Sequence, residues 1–157
     1  MSKTTRHQQR IWTLQILYSI DLKNSFTLEK AKKECENIKE RNQLLEDDYY
    51  FEKLVTGIVN KKEVLDNYIS EKSVNWTIKR MAVVDRNILR MALYEMEEEL
   101  VPVGVAINEA VELAKEYGDD NSSGFINGIL ARTWFFVLFV LKFIIRNKVS
   151  FFTKYIN

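Results

Sequence analysis

The chain has 157 residues, 46% apolar and 29% charged, an ordinary composition for one soluble domain or two small subdomains sharing a core. One proline and five glycines leave little material for the turns of a sheet protein, and a single cysteine excludes an internal disulfide. The net charge of +1 is unevenly spread: residues 1–12 and 131–157 hold bases without acids, and all 22 acids lie between them.

Residues 5–22 predict a first helix, with Ile11, Leu14, Leu17 and Tyr18 as its apolar stripe. Lys3, Arg6 and Arg10 lie on or just before its first turns. Cations at a helix N-terminus oppose the macrodipole, so local helix energetics do not account for them. They form either a solvated basic arm or a set of phosphate contacts, since each arginine offers a fork of donors that suits phosphate. The stretch has no apolar run, so no secretory signal is expected; with one unpaired cysteine, this fits a reducing cytoplasm.

Asn24-Ser25 reads as a turn, and Thr27 as the cap of a charged helix over 28–41 with Ala31, Cys35 and Ile38 facing inward. A third helix is predicted over 46–70, from the helical spacing of Phe51, Leu54, Val55, Ile58, Val59, Val64, Leu65 and Tyr68. Gly57 inside it points to close helix packing, because glycine costs about 1 kcal/mol in a helix interior. Trp76 is expected to plug a seam between the two halves of the chain, and residues 77–82 to form a short helix.

Two helical patterns then flank Pro102, the only proline. Val84, Ile88, Met91 and Ala92 share one face; Ala106, Ala110, Leu113, Ala114 and Tyr117 share another. Proline lacks an N–H and suits a helix start, so the pair reads as helix, tight connection, helix. Gly118 is placed to end the second in a left-handed conformation, and Ser122 or Ser123 to cap a last helix starting near Phe125. Beyond Leu130 comes an apolar and basic tail, 131–157. Its apolar run is interrupted by Lys142 and falls short of the roughly 20 residues a membrane span needs. It either packs on the bundle, drives association, or reflects a shifted reading frame.

The order of motifs carries more than the periodicity does. Asp85-Arg86-Asn87-Ile88-Leu89-Arg90-Met91-Ala92-Leu93-Tyr94-Glu95 is followed by Pro102, then by Ile107-Asn108-Glu109-Ala110-Val111-Glu112-Leu113-Ala114-Lys115. Tyr117-Gly118 and Phe125-Ile126-Asn127-Gly128-Ile129-Leu130 come next, and Arg10 with Gln15-Ile16-Leu17-Tyr18 stands near the start. Over roughly residues 4–130 this resembles the bacterial transcription antitermination factor NusB family. The resemblance implies an all-α fold: a compact bundle of about seven helices in two packed three- to four-helix subdomains, about 1–73 and 74–130.

It also implies a function: an adaptor that holds boxA-type single-stranded RNA together with NusE, a small-subunit ribosomal protein, within the RNA polymerase antitermination complex. The adaptor would promote read-through, notably of ribosomal RNA operons. By the resemblance, Lys3, Arg6, Arg10, Gln15 and Phe125 would contact RNA. Tyr18, Asp85 as an exposed acid, and Asn121 would face NusE. From the residues alone, Asp85 suits a structural helix N-terminal role or a salt bridge to Arg86 or Arg90, Gln15 a structural place on the helix surface, and Phe125 a core position. Where the family has lysine before that phenylalanine, this chain has Gly124. Some family members self-associate, so a homodimer is also implied. The different-class reading is a protein-only helical scaffold with reduced RNA binding. No enzyme is expected: His7 and Cys35 stand far apart, and no metal spacing, phosphate loop or nucleophile elbow occurs. No cofactor is expected either.

Overall fold

A computed structural model of the chain describes residues 4–45 and 49–134. The expectations for Lys3 and for the tail from 135 onward lie outside those residues. Seven α-helices and no strand occur among the described residues. They are α1 (Arg6–Leu22), α2 (Leu28–Arg41), α3 (Tyr50–Asn60), α4 (Lys62–Lys72), α5 (Val83–Glu97), α6 (Val103–Tyr117) and α7 (122–134); a 3-10 turn, Ile78–Arg80, precedes α5. None of these helices is long and apolar enough to cross a membrane.

Capping explains where the first two helices begin. The Gln8 N–H donates to Thr5 Oγ1 at 3.1 Å and the Lys30 N–H to Thr27 Oγ1 at 3.3 Å, each satisfying a donor the helix itself cannot. In α2, Ala31, Cys35 and Ile38 face inward as the spacing predicts. Burial pushes the Cys35 thiol up to about 12, with Glu52 and Glu36 adding to it, so the cysteine is an inert apolar group.

The single helix predicted over 46–70 is two helices. Lys61 leaves helical geometry at φ −104° and ψ 12°, ending α3 and starting α4. The bend turns α4 onto α5 and buries Leu65, Asp66 and Ile69. Gly57 does serve close packing, since a Cβ there would land inside the Tyr94 ring of α5. Gly118 is not left-handed; its φ is −87°. It is a glycine because a Cβ would collide with Ser122. The short helix predicted over 77–82 shrinks to the 3-10 turn, and α7 starts before Phe125.

Helix α5 is the centre of the bundle. It packs on α1, α3, α4 and α6, and its residues from Asn87 through Glu95 are all buried. One continuous apolar core runs from Ile11 to Leu130, so both halves of the chain share it. Within it sits a charged knot. The Arg90 Nε and Nη2 donate to the two Asp66 oxygens at 2.6 and 2.9 Å, and Nη1 donates to Asp21 at 2.7 Å and to Asn87 Oδ1 at 2.9 Å. Arg86 grips Asp21 through two further 2.7 Å bonds. Burial alone would raise the Asp21 carboxyl; Arg86, Arg90 and Asn87 outweigh it and hold the group below its ordinary value. These bonds tie the end of α1 and the middle of α4 to one face of α5.

Candidate nucleic-acid and partner interface

The start of α1 lies against the last turn of α5. Arg6 is exposed, with its guanidinium 3.8 Å from the Tyr50 ring centroid, and has no ion pair among the described residues. Arg10, one turn on, differs sharply. It is 3% exposed, and its Nε donates to Glu95 Oε1 at 2.9 Å. The Tyr50 hydroxyl donates to the same oxygen. Burial, then the bond to Glu95, raises the Tyr50 phenol, which stays protonated. The expectation that Arg10 lies on the arm as a free phosphate contact is therefore corrected. A guanidinium this buried spends its charge on Glu95, with Glu109 3.8 Å from Nη1. His7 contacts Glu109 at 2.9 Å, and the Phe51 N–H donates to Gln9 Oε1 at 3.2 Å, so neighbouring side chains also position α1.

Gln15 and Tyr18 are exposed three residues apart on α1, with exposed Leu22 one further turn along. Nine residues separate Arg6 from Gln15, about two and a half turns at 3.6 residues per turn. Gln15 and Tyr18 therefore lie on roughly the opposite side of the α1 axis from Arg6.

The remaining candidates gather where α5 and α7 begin. Asp85 is 7% exposed, and its Oδ1 has no hydrogen-bond partner among the described residues. This corrects the exposed acid expected there, and also the alternative salt bridge, because Arg86 and Arg90 are committed to Asp21 and Asp66. Burial and then Asp119 raise the Asp85 carboxyl, against a lowering contact from the Ser122 hydroxyl. The loop it faces is ordered by its own bonds: the Asp119 N–H donates to Ser122 Oγ at 2.9 Å, and the Asn121 N–H to Asp119 Oδ1 at 2.8 Å. Asn121 is exposed, and its carbonyl accepts the Phe125 N–H at 3.1 Å. Phe125 is half-buried against the core and forms a T-shaped contact with Trp76 at 6.4 Å between ring centroids. Gly124 is exposed, and a Cβ there would touch nothing.

Trp76 is not the seam plug predicted from sequence. It is 51% exposed, flanked by exposed Val74, Lys79 and Arg80. The available signal was its setting: a tryptophan between Asn75 and Thr77, just before two cations. Tyr50 and Gln9, which fix the start of α1, carried no such signal. Among the described residues, no group of three or more His, Cys, Asp or Glu side chains is placed to hold a metal ion.

Residues 7–134 match the NusB family. The chain belongs to that family. A transcription antitermination protein NusB from Halothermothrix orenii is 53% identical over 131 residues, covering 83% of this chain and 97% of that protein. A solved structure of T. maritima NusB superposes with a TM-score of 0.71 at 33% identity, covering 83% of this chain and 91% of that one. A solved structure of antitermination factors NusB and NusE in complex with double-stranded RNA gives a TM-score of 0.68 at 26% identity, covering 82% and 96%. The NusB-like reading of the motifs and the all-α fold are thus borne out. Family membership makes the chain a transcription regulator rather than an enzyme.

Proposed function

We propose that this chain is a cytoplasmic antitermination adaptor that binds boxA-type single-stranded RNA together with NusE. It delivers that RNA to the RNA polymerase antitermination complex and promotes read-through, notably of ribosomal RNA operons. The observation that supports RNA contact is Arg6: an exposed guanidinium with no acid partner among the described residues, its charge over the Tyr50 ring. Lys3 belongs to the same basic stretch of sequence, Gln15 offers amide hydrogen bonds, and Phe125 offers a half-buried aromatic ring. Tyr18 and Asn121 supply the NusE-facing surface. Arg10 and Asp85 act from inside, Arg10 by seating α1 and Asp85 by backing the loop that carries Asn121. Joining RNA and protein contacts on one adaptor turns two weak affinities into a strong one.

A protein-only scaffold is the second reading. The withdrawal of Arg10 into the core and the bare backbone at Gly124 favour it. A gel shift with a boxA-like single strand, with and without NusE, at two salt concentrations separates the two. Salt-sensitive binding that tightens with NusE and weakens in Arg6→Ala supports the adaptor. NusE capture without any RNA shift leaves the scaffold.

A further inference from the structure

The loop between α4 and α5 holds a tryptophan out of the core by built-in bonds. Ser73 is buried, and its hydroxyl donates to the Trp76 carbonyl at 2.6 Å. The Ser73 N–H donates to Ile69 at 2.9 Å, anchoring the loop to the end of α4. Asn75 takes a left-handed φ of 72°, a region asparagine tolerates better than most residues. Arg132 of α7 clamps the approach, donating to the Lys72 carbonyl at 3.0 Å. The backbone that carries the indole is thus set before any ligand arrives, which lowers the ordering cost of binding.

An aromatic ring packs on that indole, and two cations follow it three and four residues along the chain. Phe125 packs against the indole in a T-shaped contact at an interplanar angle of 70°. Lys79 and Arg80 are exposed, and neither has an ion pair among the described residues. From Lys72 to Val84 the chain carries three bases and no acid, inside a body that is otherwise acidic. An exposed ring with unpaired cations alongside is the combination that holds single-stranded nucleic acid: bases stack on the ring while the cations neutralise phosphates. A protein-docking tryptophan has no need of the two cations, so charge complementarity favours RNA.

We propose that Trp76, backed by Phe125, is a base-stacking platform for single-stranded RNA, with Lys79 and Arg80 taking the adjoining phosphates. This rests on the RNA-binding reading above, which already includes Phe125, and adds Trp76, Lys79 and Arg80 to that end of the surface. Arg10 meets Glu95 near the end of α5, whereas Asp85 meets the 118–122 loop in its first turn. Ten residues of helix separate the two levels, about 15 Å at 1.5 Å per residue. A strand touching both Arg6 and Trp76 runs along the bundle, and its two contacts reinforce each other.

The test is fluorescence anisotropy of a fluorescein-labelled boxA-type single strand titrated with the full chain, with and without NusE. Trp76→Ala is expected to weaken RNA binding about tenfold, the scale of a single base stack, and Trp76→Phe to recover most of it. Lys79→Ala with Arg80→Ala is expected to flatten the salt dependence, by about 0.7 in the log–log slope for each phosphate that is no longer neutralised. An abasic site walked along the strand should find one position at which Trp76→Ala no longer matters. In a Trp134→Phe background, unlabelled RNA should quench the Trp76 emission, Trp12 being buried. Parent-like RNA affinity in Trp76→Ala overturns the platform and leaves the adaptor reading standing. Abolished NusE capture with unchanged RNA affinity also overturns it, making Trp76 a protein-docking residue. If the parent chain binds no RNA even with NusE, the adaptor reading falls and the platform falls with it.

Discussion

Arg10 and Glu95 meet at 2.9 Å across 85 residues of sequence, and both side chains are almost wholly out of water. The pair locks the first turns of α1 onto the last turn of α5, and the Tyr50 hydroxyl closes it from α3. Arg6, the exposed cation of the arm, rests on that same Tyr50 ring. Arg10 therefore acts on any RNA surface at one remove, by holding the helix that presents Arg6.

Removing one partner leaves the other charge buried alone, which costs about 3–5 kcal/mol. Arg10→Ala and Glu95→Ala are each expected to lose stability on that scale in urea denaturation. The double variant is expected to lose much less than the sum, since neither orphan charge remains. Additive losses would show that the pair is not coupled.

The two buried aspartates bend the pH profile in opposite directions. Asp85 is held above its ordinary value of 3.8, chiefly by burial. The folded state thus keeps the Asp85 proton more tightly than the unfolded state, and its ionisation weakens the fold as pH rises above about 4. Asp85→Asn is expected to melt higher than the parent at pH 7, with the gap closing as pH approaches 4. A lower melting temperature at pH 7 would contradict this reading of the unpaired oxygen.

Asp21 is held below 3.8, the arginines outweighing its burial. Its contribution is present above its unfolded value and is lost as pH falls through the lower folded one. Acid unfolding is expected to set in below pH 4. Arg86→Ala leaves Asp21 with fewer partners and is expected to move that onset upward in a circular dichroism titration.

Two glycines in helices predict opposite outcomes from the same substitution. Gly57→Ala places a methyl in the Tyr94 ring and is expected to cost about 1–3 kcal/mol, despite the helix propensity gained. Gly124→Ala meets open space in α7 and is expected to gain up to about 1 kcal/mol. Gly124→Lys adds a cation one residue before Phe125 and is expected to tighten RNA binding without altering NusE capture.

Much of this protein is written in local sequence. Thr5 and Thr27 start their helices because a side-chain oxygen in the right place is all a cap requires. Ala31, Cys35 and Ile38 face inward, and so do Ala106, Ala110, Leu113 and Ala114, because a 3.6-residue period admits one buried stripe. The ordered motifs from Asp85 to Leu130 are specific enough to place the chain in its family. What needed the tertiary structure is where the charges and rings end up. Arg10 reads as a cation of the arm, and the family resemblance makes Asp85 an exposed acid, because their environments are set by residues far along the chain: Glu95 for one, Asp119 and Ser122 for the other. Lys61 breaks a continuous apolar pattern so that α4 can reach α5. Trp76 reads as core by composition, yet Ser73 holds its backbone at the surface. Periodicity reports which face of a helix is apolar. Burial of a charge or exposure of a ring depends on long-range partners, and only the packed fold brings those partners together.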